Sequence, residues 1–199
     1  MTTNTYLALG DSYTIGEQVL PEDNFPNQTV ALLNGLLTSP HIIATTGFTT
    51  DELNAAIDAA NISGQYDIVS LLIGVNNQYR GRDSQNFTKE FEALLERAIL
   101  FSGNQPHRVF VLSIPDWGVT PFAAGRDTQK IAAEINAYNT VCENLAAQYG
   151  AHFIDITASQ RADGAAMDFL APDQLHPSAK EYAKWAAQLA AAIKIELNK

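Results

Sequence analysis

Five short apolar runs, separated by longer stretches of helical periodicity, constrain this chain more than any other feature. The runs are Thr5–Leu9, His41–Thr45, Asp67–Ile73, Arg108–Ile114 and His152–Ile156. Several are rich in Val, Ile and Leu and do not alternate cleanly with polar residues, which is the pattern of parallel strands covered on both faces. The intervening stretches carry helical stripes. A helix from about Asn27 presents Val30, Leu33 and Leu37, after a loop marked by Pro21 and Pro26. Thr49 and Glu52 have capping-box spacing ahead of Leu53, Ala56, Ile57 and Ala60. Asn86 is read as the cap of a helix bearing Phe87, Phe91, Leu94, Leu95 and Ala98, with Gly103 at its end. After Asp127, Ile131, Ile135, Tyr138, Cys142, Leu145 and Tyr149 recur at spacings of four and three, up to Gly150. The last helix is expected to start near Pro177, with Tyr182, Trp185, Leu189 and Ile193 facing inward.

Strand–helix alternation without a composition break predicts one doubly wound α/β domain over residues 1–199. The expected architecture is a three-layer α/β/α sandwich around a five-stranded parallel sheet in the order 2-1-3-4-5. The net charge of −10 argues against a phosphate backbone or an anionic membrane as partner. No apolar run approaches the length of a membrane span. The N-terminus lacks a basic segment followed by an apolar one, so the cytoplasm is the default expectation. The single Cys142 cannot form an intrachain disulfide and reads as a core thiol. His41, His107 and His152 stand at strand beginnings without metal-ligand spacing, so no metal is expected. Oligomeric state is not legible.

In a sheet of this kind, ligands bind beyond the carboxyl ends of the strands, so each such end is a candidate site. The first carries Gly10-Asp11-Ser12-Tyr13. A serine after a strand is commonly a turn or cap residue, but here it also stands where a nucleophile belongs. The second carries Gly47, whose backbone N–H has no side chain in its way. The third carries Gly74-Val75-Asn76-Asn77, with Asn76 able to supply an amide N–H or simply to close an Asx-turn. The fourth ends in Asp116-Trp117. Beyond the fifth, Asp173 lies three residues before His176. That spacing can set a carboxylate against Nδ1 and free Nε2 to accept a proton from serine, although an Asp–His pair near a helix start is commonly only a local hydrogen bond. Asp116 and Asp155 are rival acids. Nucleophile, base, orienting acid and oxyanion donors thus converge on one sheet edge.

These blocks resemble the SGNH (GDSL-type) hydrolase family of serine esterases and acylhydrolases. Gly10-Asp11-Ser12-Tyr13, Gly47, Gly74-Val75-Asn76-Asn77 and Asp173 to His176 match in order and spacing. The resemblance implies a flavodoxin-like SGNH hydrolase fold. It also implies a triad of Ser12, His176 and Asp173, and an oxyanion hole from Ser12, Gly47 and Asn76. Asn77 departs from the family pattern, which has Asp there, and its implied role is loop support. The Gly-x-Ser-x-Gly elbow of α/β-hydrolases is absent. The expected activity is hydrolysis of carboxylic esters or thioesters of small molecules, without a cofactor. Tyr13, Phe48, Tyr79 and Trp117, with Phe122, are candidate substrate-binding residues. Arg80 and Arg82 are candidates for meeting an anionic substrate, against the commoner solvated arginine. An acyltransferase or a carbohydrate O-acetylesterase would use the same site. A non-catalytic flavodoxin-like binding domain would need Ser12, His176 and Asp173 to lie apart.

Overall fold

In a computed structural model that describes residues 3–199, the runs form five parallel strands. They are β1 (Tyr6–Gly10), β2 (His41–Ala44), β3 (Ile68–Leu72), β4 (Val109–Leu112) and β5 (His152–Ile154). Their order is β2-β1-β3-β4-β5, as expected, and Gly10 pairs with Ala44 on one side and Leu72 on the other. Met1 and Thr2, part of the expected 1–199 span, lie outside the described residues. β1, β3 and β4 are buried at every position, which accounts for their unalternating apolar sequences.

Among the described residues, eight α-helices alternate with these strands: α1 (Ser12–Ile15), α2 (Phe25–Leu32), α3 (Thr50–Ala59), α4 (Val75–Tyr79), α5 (Ser84–Phe101), α6 (Thr128–Tyr149), α7 (Thr157–Asp163) and α8 (Ala179–Leu197). Right-handed crossovers put α2 and α8 together on one face of the sheet and α3, α5 and α6 on the other. Trp185 and Tyr182 of α8 and Phe25 of α2 fill the first layer, and Phe87, Phe91 and Leu94 of α5 fill the second.

Several boundaries differ from the sequence reading for local physical reasons. α2 begins at Phe25, because Asn24 caps it and Pro26, in the first turn, gives up an N–H that has no helical partner anyway. α5 begins at Ser84. Asp83, not Asn86, is its cap, accepting from the Asn86 N–H at 2.8 Å. α8 begins at Ala179, with Ser178 at the N-cap position and its hydroxyl donating to the Asp168 carbonyl instead, so Pro177 stands just outside it. Arg108 belongs to a 3₁₀ turn, and β5 stops two residues early. The Thr49–Glu52 capping box is present. Cys142 is fully buried and its thiol is pushed upward by burial.

Candidate active site

The first strand delivers Ser12 through a turn that only glycine permits. A Cβ at Gly10 would lie 2.1 Å from Thr14 Oγ1 and 2.5 Å from the Leu72 carbonyl oxygen, so the chain enters α1 in contact with β3. Asp11 caps α1 by accepting the Tyr13 N–H at 3.0 Å, and Ser12 becomes its first residue. α1 ends after one turn at Gly16.

The other side arrives from the loop before α8. Asp173 Oδ1 accepts the backbone N–H groups of Leu175 and His176, each at 3.0 Å, which folds the Asp-x-x-His segment into a tight turn. Oδ2 of the same carboxylate lies 2.6 Å from His176 Nδ1, and His176 Nε2 lies 2.9 Å from Ser12 Oγ. Because a carboxylate only accepts, Nδ1 carries a proton, and in the neutral imidazole Nε2 is then the acceptor that faces the serine. The Tyr13 ring packs against the imidazole with centroids 5.0 Å apart and holds its orientation. Burial alone pushes the Asp173 carboxyl up. Its hydrogen bonds from the His176 ring and from two backbone N–H groups outweigh that, and hold it below the usual carboxylate range. The rival acids face elsewhere. Asp116 pairs with Arg161 at 2.8 Å and accepts the Gly118 N–H, while Asp155 accepts the N–H groups of Thr157 and Ala158.

Gly47 and Asn76 lie across the cleft from His176 on two segments tied together. The Asn76 side chain stands on the first turn of α4, not on a loop, and one of its N–H groups donates to the Phe48 carbonyl at 3.0 Å. Among the described residues, the backbone N–H groups of Ser12 and Gly47 have no acceptor.

Ser12, Tyr13, Gly47, Asn76, Tyr79, Trp117 and His176 all line one cleft of about 230 Å³. Phe122, Thr46, Val75 and Leu175 complete it. Its far wall is aromatic. The rings of Tyr79 and Trp117 lie 5.3 Å apart, Phe122 meets Trp117 edge-on at 6.1 Å, and the Arg126 guanidinium sits 5.2–5.8 Å from all three rings. The Trp117 indole is fixed by Gln78, whose Oε1 accepts its N–H at 2.7 Å.

Phe48 does not line the cleft. Its side chain packs against the core, and only its carbonyl takes part, through Asn76. Arg80 and Arg82 also stand outside the lining. Arg80 is held by Glu52 and the Gly47 carbonyl, and Arg82 by Asp51 and Glu90. Thr46, Val75 and Leu175 are lining residues that the sequence does not single out. Leu175 has one signal, its place between Asp173 and His176; Thr46 has only its neighbour Gly47. His41, His107 and His152 are far from this cleft in their contacts: His41 meets Tyr66, and the other two face Glu196. No helix among the described residues is long and apolar enough to cross a membrane.

Residues 8–184 match the model of the GDSL-like lipase/acylhydrolase family. No curated protein sequence matches the chain. Among solved structures, a psychrotrophic esterase from Pseudoalteromonas sp. superposes with a TM-score of 0.74 at 16% identity, covering 98% of this chain and 100% of that one. A lipase/acylhydrolase from Enterococcus faecalis gives 0.71 at 21% identity, covering 96% of each chain. An acetyl xylan esterase from Geobacillus stearothermophilus gives 0.68 at 20%, covering 96% and 95%. At such identities these likenesses speak to the fold, which is the α/β/α sandwich they share. The family match takes in all the blocks from Gly10 to His176, and by it this chain belongs to the GDSL-like lipase/acylhydrolase family and is a carboxylic ester hydrolase.

Proposed function

We propose that residues 1–199 act as one catalytic unit that hydrolyses small esters or thioesters through an acyl-enzyme on Ser12. The observation that carries this reading is the continuous line from Asp173 through His176 to Ser12, with separations of 2.6 and 2.9 Å, opening into an apolar cleft. His176 Nε2 takes the Ser12 proton as Oγ bonds to the substrate carbonyl carbon. The carbonyl π electrons move onto oxygen. That oxyanion is met by the N–H groups of Ser12 and Gly47 and by the Asn76 amide. His176 returns the proton to the departing alcohol or thiol, and water repeats the sequence to release the acid. Asp173 stays ionised throughout and holds the imidazole in the required tautomer.

The cleft is smaller than most sites for drug-sized ligands, which run from about 300 Å³ upward, and this favours short acyl groups. Acetylated sugars belong among the candidates, since one structure of the same fold is described as an acetyl xylan esterase. An alcohol entering in place of water would make the same site an acyltransferase.

A fluorophosphonate probe is expected to add one adduct to the protein, mapped by peptide analysis to Ser12 and absent in Ser12→Ala. In a series of p-nitrophenyl esters, acetate and butyrate should turn over faster than decanoate. Labelling that survives in Ser12→Ala removes this serine as nucleophile. A preference for the long chain removes the small-substrate reading. An acyl product that appears only when an acceptor sugar is added identifies a transferase.

A further inference from the structure

Asn77 follows Asn76 on α4, and its surroundings tie α4 to α3 and α5. Asn77 is fully buried. Its Oδ1 accepts the Thr50 backbone N–H at 3.1 Å, and its Nδ2 donates to Thr50 Oγ1 at 2.6 Å. Thr50, also fully buried, donates its own hydroxyl proton to Glu90 Oε2. The other Glu90 oxygen accepts from the Asn86 amide at 2.7 Å, and Arg82 approaches Oε2 at 3.8 Å. Through the Thr50 hydroxyl, donation therefore runs one way, from the Asn77 amide to a carboxylate on α5, while the Thr50 backbone N–H returns a bond to Asn77.

We propose that Glu90 is a positioning residue for the oxyanion hole, acting through Thr50 and Asn77 as the acceptor that orients the Thr50 hydroxyl. Thr50 opens α3, directly after the loop that carries Gly47. Asn77 follows Asn76 on α4. The Asn77–Thr50 pair is thus a second fastening between the two segments that hold the oxyanion donors, beside the Asn76–Phe48 bond. A carboxylate at 77 is incompatible with Glu90 as placed. The Thr50 hydroxyl has one proton, already given to Glu90. One oxygen of a carboxylate at 77 would then face a lone pair, and two negative charges would share one threonine. The inference rests on the reading that Gly47 and Asn76 bind the oxyanion.

The test is a cycle of Asn77→Asp, Glu90→Gln and the double variant, read by steady-state kinetics on p-nitrophenyl butyrate and by thermal unfolding. Asn77→Asp should lose at least about tenfold in kcat, with little change in KM, because a buried bond is replaced by a repulsive contact. Glu90→Gln should lose only about threefold, since an amide oxygen still accepts the Thr50 proton. In the double variant the relay can reverse: the amide introduced at position 90 donates to Thr50 Oγ1, and Thr50 donates to the carboxylate introduced at position 77. Its kcat and melting temperature should return to the level of Glu90→Gln. A double variant as impaired as Asn77→Asp, or an Asn77→Asp enzyme equal to the parent at pH 8, overturns the proposal. Restored melting without restored kcat shows a purely structural contact and also overturns it. A parent without esterase activity defeats the proposed function instead, and in that case the melting cycle alone decides whether the relay exists.

Discussion

Asn76 has two amide hydrogens, and one of them goes to the Phe48 carbonyl at 3.0 Å. The other is available to the cleft that Asn76 lines. A neutral amide stabilises a developing oxyanion without a change of protonation, and the substrate carbonyl draws on it much less than the transition state does. Asn76→Ala is therefore expected to lower kcat by about 100- to 1000-fold, with KM within a few-fold. Steady-state kinetics with circular dichroism as a folding control check this; a variant within a few-fold of the parent would leave the oxyanion to backbone N–H groups alone. The meeting of Ser12, Asp173 and His176, with Asn76 beside them, is readable from sequence because short local spacings fix where each side chain points. The three-residue step from Asp173 to His176 is closed by two backbone bonds to one carboxylate oxygen, and those are written into the segment itself. Phe48 is not readable in the same way. It lies between Gly47 and the cap Thr49, outside any period of 2 or 3.6, so nothing in the sequence says that its ring turns to the core. Arg80 and Arg82 are held on acidic residues about 30 positions earlier in the chain, a pairing that only the fold creates.

At the scale of elements, the long helices are legible and the short ones are not. α6 shows six inward residues over 22 positions, enough to define its face and its end at Gly150. α4 has five residues and α7 seven, too few for a stripe to repeat, so the sequence reveals neither. Without α4 in view, Asn76 reads as a loop residue. α4 is aimed by the residue before it. Gly74 has a φ of +131°, and a Cβ there would lie 2.6 Å from Ile114 Cδ1 and 2.8 Å from Phe87 Cε2. Backbone strain opposes any side chain, and Ile114 and Phe87 are both fully buried, so a Cβ here must displace those rings and branches or α4 itself. Gly74→Ala is expected to cost about 1–3 kcal/mol of stability, and to lower kcat as well because Asn76 moves with the helix. Thermal unfolding and kinetics on the same sample test the two together. A variant as stable as the parent would mean that Ile114 and Phe87 yield freely, and that the glycine is not what fixes the angle of α4.

Across the whole molecule, the strand order and the edge that carries the site follow from chain order and crossover handedness, which is why the sequence reveals them while leaving individual boundaries to the caps. Building a site at that edge has a consequence for the pH dependence of folding. Asp11 must enter the protein to cap α1, and it is completely buried. Oδ1 has the Tyr13 N–H, but Oδ2 has no hydrogen-bond partner, and neither Tyr13 nor Tyr182 beside it supplies a positive charge. Burial pushes its carboxyl up to about 7, against the smaller opposing effect of the Tyr13 hydrogen bond. An unfolded aspartate titrates near about 4. Between those values the folded protein holds a proton that the unfolded chain has released, so stability falls as pH rises through that window and then levels off. Each tenfold change in proton affinity is worth about 1.4 kcal/mol, so the stability lost across that window amounts to several kcal/mol. Asp173 contributes with the opposite sign at lower pH. Its folded carboxyl lies below the ordinary range, and the stability it adds disappears as the solution is acidified through that folded value. Asp11→Asn keeps an oxygen for the Tyr13 N–H and cannot ionise. Its melting temperature should therefore rise relative to the parent as pH goes from 4 to 7, and the difference should stay constant above that. Thermal unfolding of both proteins across pH 4–9 measures it. A difference that does not change with pH would show that Asp11 is ionised in the fold throughout, and would reassign the proton uptake to another group.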